Sequence, residues 1–311
     1  AVAQTRERGC DVVVGLGGGS VIDAAKAIAG LVPQPGDLHD YLEVVGRAQP
    51  LPRAALPWIA VPTTAGAGAE VTRNAVLTAR AQHVKASLRS PRLLAHAALI
   101  DPQLTLDLPP AVTAATGLDA LTQVIEPFLC LRANPVTDAL CRDAIPRLAR
   151  ALPRVFENGH DLAARTDMAL GALHGGLALA NAGLGSVHGL AAPLGGTLSA
   201  PHGAVCAALL PHALELNHRL LPDTPAATVT RERFAEIGRL LTGSADASAT
   251  DGIQWLLQLT RRLGIPPLRH YGLVPAHFPG LAQAALGASS MKANPVPLSE
   301  PQIIGLLQAA W

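Results

Sequence analysis

Asp11 to Ala29 reads DVVVGLGGGSVIDAAKAIA, and this stretch decides the fold. Asp11 to Leu16 is a short β-branched run without alternation, the pattern of a parallel strand buried on both faces. Gly17, Gly18, Gly19 and Ser20 form a turn, and the following VIDAAKAIAGLV reads as a helix, with apolar Ile22, Ala25 and Ala29 and a stop near Pro33. In a strand, glycine turn and helix, the absence of Cβ atoms lets N–H groups at the helix N-terminus approach a diphosphate. The helix dipole favours its charge. A glycine run alone is equally a tight turn that binds nothing, and this one lacks the G-x-G-x-x-G fingerprint.

A second unit strengthens the reading. PWIAVP, Pro57 to Pro62, is another short strand, and it leads into the loop TTAGAGAE from Thr63 to Glu70. In open α/β sheets such loops gather at the carboxyl edge where nucleotides lie, and Thr63 and Thr64 offer hydroxyls to phosphate or ribose. His96 to Ile100 reads as a third strand, ending at Asp101-Pro102. Lys85 stands out because the chain has three lysines, Lys26, Lys85 and Lys292, among its 24 basic residues. Taken alone it is a solvated surface charge.

From Leu108 onward strand signals vanish, which divides the chain into a nucleotide domain, 1–107, and a helical domain, 108–311. Asn134-Pro135 is a helix start, with Asn as N-cap and Pro at the first helical position, and Asn158-Gly159 closes that segment. Further helices are predicted over Ala163 to Ala180, Ala204 to Leu216, Arg231 to Leu241 and Asp251 to Leu263. In GLDALTQVIEPF, Asp119 and Gln123 stand four apart and share a helix face. His188 and His202 each precede a glycine that admits a ligand or metal to the backbone. A carboxylate and two imidazoles suit a divalent cation such as ferrous iron or zinc, although any one of the 11 histidines is by itself an ordinary residue.

Composition narrows the function classes. With 311 residues, 49% hydrophobic and 15% charged, the chain can bury two cores, and a net charge of +1 without basic clusters gives no footprint for nucleic acid or an anionic membrane. The tract Met168 to Ala200 is apolar, yet it holds His174, Asn181, His188 and eight glycines, so it reads as a buried Gly/Ala-rich helix broken by loops. Cys10, Cys130, Cys141 and Cys206 lie far apart and read as buried thiols in a reducing cytoplasm.

The stretches GLGGGSVIDAAKAIA, VPTTAGAGAEVTRNAVLT, LIDPQLTLDLPPAVTAATGLDALTQVIEPF, NPVTDAL and GLGSVHGLAAPLGGTLSAPHGAVCAALLPH together resemble the iron-containing alcohol dehydrogenase family, in the family's order and across essentially the whole chain. The resemblance implies an α/β Rossmann-like dinucleotide-binding domain followed by an all-helical metal-binding domain, with the active site in the cleft between them. It places the diphosphate of NAD or NADP at Gly17, Gly18, Gly19 and Ser20, and sets Asp23, Thr63, Thr64 and Lys85 near phosphate, ribose or nicotinamide. It assigns metal ligands to Asp119, His188 and His202, with ferrous iron ahead of zinc.

The chain departs from the family at several points. Gln123 stands where the fourth metal ligand is usually His, Ala192 replaces a second histidine four residues beyond His188, and Ala67 and Ala69 replace Thr and Ser in the second loop. Family members carry a further strand-helix-strand ahead of Ala1, so the dinucleotide domain reads as truncated at its start.

The activity implied is metal-assisted hydride transfer between the nicotinamide and a small alcohol, aldehyde or ketone, in a cytoplasmic homodimer. The Gly/Ala-rich sequence suits a small apolar substrate pocket. Two other readings stay open: a metal-independent reductase like maleylacetate reductase, and an inactive truncated scaffold.

Overall fold

In the computed structural model, which describes residues 1–79, 82 and 84–311, the glycine turn stands between strand β1 (Val13–Gly17) and helix α2 (Gly19–Leu31), after a short opening helix α1 (Val2–Glu7). A brief α3 (Leu38–Tyr41) precedes β2 (Trp58–Pro62), which runs parallel to β1 with Val13 opposite Trp58 and Gly17 opposite Pro62. β5 (Ala97–Ala98) pairs parallel to β2, giving the order β1-β2-β5. The third strand is thus two residues long rather than the expected His96 to Ile100.

The expectation of a first strand buried on both faces is corrected. Side chains alternate along a strand, and α2 covers only the face that carries Gly15, where a Cβ would lie 2.7 Å from Ala25 Cβ. Val14 and Leu16 point the other way and are each 58% exposed. Between β2 and β5 comes an antiparallel hairpin that the sequence reading passed over, β3 (Asn74–Ala79) and β4 (Val84–Arg89), with Lys85 opposite Thr78.

Helix α2 lies between these two sheets. Ile22, Ala25 and Ala29 pack with Trp58 and Ala60 on one side, while Ala27 and Leu31 pack with Ala75, Ala86 and Leu88 of the hairpin on the other. Lys26 is fully buried between them and donates to Ala69 O at 2.7 Å, Thr72 Oγ1 at 3.0 Å and Asn74 O at 2.9 Å. Three acceptors at hydrogen-bond distance satisfy an ammonium that burial would otherwise make costly.

The second half is helical throughout the described residues: α4 (Pro110–Leu129), α5 (Pro135–Glu157), α6 (Leu162–Asn181), α7 (Ser186–Thr197), α8 (His202–Arg219), α9 (Thr228–Thr242), α10 (Ala249–Arg262), α11 (Phe278–Gly287) and α12 (Glu300–Ala309). The predicted helices fall within three residues of these bounds. Asn134 caps α5 through its side-chain oxygen and the N–H of Thr137, with Pro135 at the first helical position as expected. α4 is the axle: Leu118, Ala120, Leu121, Val124, Ile125 and Phe128 are all fully buried in one core that extends to Ala310.

The tract from Met168 to Ala200 forms most of α6 together with α7, bent by 96° at their junction; no single helix among the described residues is long and apolar enough to cross a membrane. Cys130, Cys141 and Cys206 are buried as expected. Cys10 is exposed, because it follows α1 at the surface.

Two glycines fix how the halves meet. Gly68 has φ of 58°, and a Cβ there would lie 2.5 Å from Gly176 Cα on α6. At Gly66 a Cβ would meet Thr116 of α4 at 2.7 Å. The loop after β2 therefore rests on the helical half backbone to backbone, a closeness that only glycine permits.

Candidate functional site

Asp119 and Gln123 project from the same face of α4, as their spacing predicts, and Gln123 Nε2 donates to Asp119 Oδ2 at 3.1 Å. His188 is the third residue of α7 and His202 the first of α8. A Cβ at Gly203 would stand 2.4 Å from Ala115 O, so a glycine there lets the start of α8 settle on α4 and bring His202 to Asp119. Asp119 Oδ1 lies 3.5 Å from His188 Nε2 and 3.9 Å from His202 Nε2. The carboxylate and two imidazoles singled out in the sequence thus converge.

Sequence reasoning missed two residues. Cys206 lies one turn beyond His202 on α8, with Sγ 3.7 Å from His202 Nε2 and 3.9 Å from His188 Nε2. The donor atoms of Asp119, His188, His202 and Cys206 all fall within 4.8 Å of one another. His202 and Cys206 show the same four-residue spacing that drew attention to Asp119 and Gln123, so the signal was present. Glu126, seven residues after Asp119, takes the N–H of Val187 on Oε1 at 2.7 Å and holds His188 Nδ1 with Oε2 at 2.7 Å. That carboxylate turns Nε2 toward the cluster, the arrangement by which outer partners orient a metal-binding imidazole. The start of α7 is held further by Asn294, whose Oδ1 accepts from the Ser186 N–H at 2.9 Å.

The donor set fits a cation. Donors about 2.0–2.3 Å from a tetrahedral ion stand about 3.3–3.8 Å apart, close to the 3.5 to 3.9 Å that separate Asp119 and Cys206 from the two imidazoles. Asp119 Oδ1 and Gln123 Oε1 are buried with no hydrogen-bond partner, a costly state for two oxygens unless something positive meets them.

Charge in the cluster is sharply partitioned. Burial alone would raise the Asp119 carboxyl, but His202 and His188 beside it bring it down to about 2. Burial pushes His202 down to about 4 and the Cys206 thiol up to about 12. Burial also opposes charge on His188, yet Cys206, Asp119 and Glu126 outweigh it and hold that imidazole well above its ordinary value.

The residues expected at the nucleotide lie in the first half of the chain. Thr63 N–H donates to Gly17 O at 2.9 Å, and a Cβ at Gly18 would sit 3.3 Å from Thr64 Cγ2, so the two loops are adjacent at the carboxyl edge of the sheet. Gly18 is the N-cap of α2, and no side chain caps that terminus. Asp23 lies 3.9 Å from Lys26, and burial raises its carboxyl to about 6. Lys85 reaches α7, its Nζ 3.0 Å from where a Cβ of Gly195 would stand, and its charge acts on both Asp23 and His202. It is therefore half-buried against α7 rather than on the open surface.

Two family models cover these two halves in turn: "Iron-containing alcohol dehydrogenase" matches residues 1–102, and "Fe-containing alcohol dehydrogenase family, C-terminal" matches residues 113–311. The chain belongs to the iron-containing alcohol dehydrogenase family.

It is 41% identical over 311 residues to the probable alcohol dehydrogenase EutG of Escherichia coli (strain K12), a match covering all of this chain and 75% of that protein. A solved 1,3-propanediol oxidoreductase superposes with a TM-score of 0.90 at 36% identity, covering all of this chain and 79% of the other. A sulfoacetaldehyde reductase from Bifidobacterium kashiwanohense, solved in complex with NAD+, superposes with a TM-score of 0.85 at 28% identity, covering 99% and 78%. The fold of this oxidoreductase is that of its family, a Rossmann-like parallel sheet followed by a helical domain.

Proposed function

We propose that this chain transfers a hydride between a small alcohol and NAD or NADP, at a divalent cation held by Asp119, His188 and His202 with Gln123 beside them. The observation that carries the reading is the unpartnered Asp119 Oδ1, buried between two imidazoles. In the other half of the chain, the N-terminus of α2 at Gly18 has no side-chain cap.

A bound cation supplies Lewis acidity to the alcohol oxygen and favours loss of its proton. The protein's own groups do the rest. Asp119 supplies fixed negative charge, Gln123 holds its second oxygen, and Glu126 sets the direction of His188. The His202 side chain is 37% exposed and opens the cluster toward the cleft, while His188 and Asp119 close its floor. Gly17, Gly18, Gly19 and Ser20 receive the diphosphate, with Thr63 and Thr64 alongside, and Lys85 and Asp23 flank the route to the nicotinamide. A nicotinamide held by these residues would accept the hydride from the carbinol carbon, and the hydroxyl proton would leave to solvent. On this reading residues 1–107 bind the nucleotide and 108–311 the metal and substrate. A metal-independent reductase or an inert scaffold gives no account of four converging donors of which the carboxylate oxygen is buried without a partner.

Substrates of the size of short primary alcohols and 1,3-propanediol are the class to assay. Asp119→Asn keeps the side-chain shape and removes the charge. Losing about 4 kcal/mol of charge stabilisation corresponds to a fall of about three orders of magnitude in kcat/KM, with the circular dichroism unchanged. An Asp119→Asn enzyme that oxidises alcohols at the wild-type rate would overturn the reading.

A further inference from the structure

Two features of the cluster do not match a site made of carboxylate and imidazoles alone. The α4 residue next to Asp119 is an amide, and its Nε2 is already used, donating to Asp119 Oδ2 at 3.1 Å. A fully buried sulfur, Cys206 Sγ, stands among the imidazole nitrogens at 3.7 and 3.9 Å, the long end of the range for hydrogen bonds to sulfur. Of the three buried cysteines, Cys141 and Cys206 both lie in the apolar core of the helical half and Cys130 packs with Ala182 and Ala293, but Cys206 alone of the three also has its sulfur within 4.8 Å of the Asp119, His188 and His202 donor atoms.

We infer that Cys206 is the fourth protein ligand of the metal centre, and that its sulfur makes the site select zinc over ferrous iron. The inference rests on the proposed metal centre and adds the identity of one ligand and of the ion.

The geometry carries the first part. His202 and Cys206 lie four residues apart on α8, so both side chains leave the helix on one face. His188 arrives from α7 and Asp119 from α4, and the four donor atoms lie mutually within 4.8 Å. Gln123 then positions Asp119 through Nε2, while its unpartnered Oε1 is a neutral and weaker donor than the Cys206 sulfur. The exposed side of His202 leaves a direction for a substrate oxygen as a fifth donor, an expansion that catalytic zinc accommodates.

Ligand chemistry carries the second part. Thiolate is a soft donor that zinc prefers, and zinc already lies above ferrous iron in intrinsic affinity for mixed donor sites. Exchanging an imidazole for a thiolate widens that gap, which reverses the preference for iron implied by the family resemblance.

The test is cobalt(II) substitution of the whole chain, read by absorption with no turnover required. Thiolate ligation gives a sulfur-to-cobalt charge-transfer band in the near ultraviolet, alongside the visible d–d bands of a low-symmetry site. The expected result is both sets of bands in the wild type, with the charge-transfer band lost in Cys206→Ala while cobalt remains bound. Competition between zinc and ferrous iron, read by anaerobic metal analysis, should show the zinc preference reduced in Cys206→Ala by more than about a hundredfold, beyond the cost of losing an outer partner. Cobalt bound at one equivalent with d–d bands but no charge-transfer band in the wild type overturns the role of Cys206 and leaves the metal centre standing. Absence of any bound cobalt overturns the metal centre itself. The wild-type spectrum decides the point even if the variant folds poorly.

Discussion

The two halves of this molecule solve the same problem of burial by opposite means. In the helical half one apolar core runs without interruption from α4 to α12, and its central helix is buried around nearly its whole circumference. In the nucleotide half the core is split by α2 into two small clusters, one against the parallel strands and one against the hairpin. What joins those clusters is polar: Lys26, with three hydrogen bonds and Asp23 nearby. A thick core tolerates polar groups at its rim, which lets the helical half carry Asp119, His188 and Cys206 in buried positions. A thin layered core instead depends on individual contacts, and its functional loop is held by glycines whose backbones touch the neighbouring half.

This contrast is broken most severely at Lys26. Lys26→Met keeps an apolar side chain of similar length but removes a donor from Ala69 O, Thr72 Oγ1 and Asn74 O and takes from Asp23 its nearest counter-charge. Removing one partner of a buried ionic network costs about 3–5 kcal/mol. Hydrogen exchange should show protection lost across β1, α2 and the loop after β2, with α4 and α5 unaffected. Equal loss of protection in both halves would mean that they unfold as one unit and that the contrast is only geometric.

A smaller and more local effect is expected at the glycine turn. Gly18→Val places a branched side chain beside Thr64, where a Cβ alone already comes within 3.3 Å. The side chain fills the approach to the N-terminus of α2, so NAD(H) and NADP(H) affinity should fall by at least about tenfold, or 1.4 kcal/mol, while metal content stays unchanged. Unaltered nucleotide affinity would move the diphosphate away from this turn.

The sequence made the fold and most of the metal cluster legible for a specific reason. Glycine turns, proline helix starts and four-residue spacings are local patterns, and Gly17 to Ser20, Asn134-Pro135 and Asp119 with Gln123 each announce themselves within a few residues. What escaped was set by long-range packing. The β3–β4 hairpin has too little alternation in NAVLTA and VKASLR to stand out, and it forms because α2 offers Ala27 and Leu31 as a surface for Ala75 and Leu88. Val14 and Leu16 read as buried because they are apolar, yet α2 covers only the opposite face of their strand. Glu126 and Cys206 gain meaning only once α4, α7 and α8 converge, since neither is near His188 in sequence. Cys206 is far in sequence from the other cysteines, and its only local mark is the one-turn spacing from His202 on α8.

The central claim is that the helical half holds the catalytic cation while the other half holds the nucleotide, so the two should be separable by removing the metal. The decisive measurement is the rate of alcohol oxidation and the affinity for NAD(H) and NADP(H) on one preparation before and after chelation, with metal quantified in each. The account predicts that activity falls with metal content and returns on adding zinc, while nucleotide affinity is retained throughout. Undiminished oxidation at less than about a tenth of an equivalent of metal would contradict it, because a Lewis acid worth several kcal/mol cannot be absent from most molecules without loss of rate.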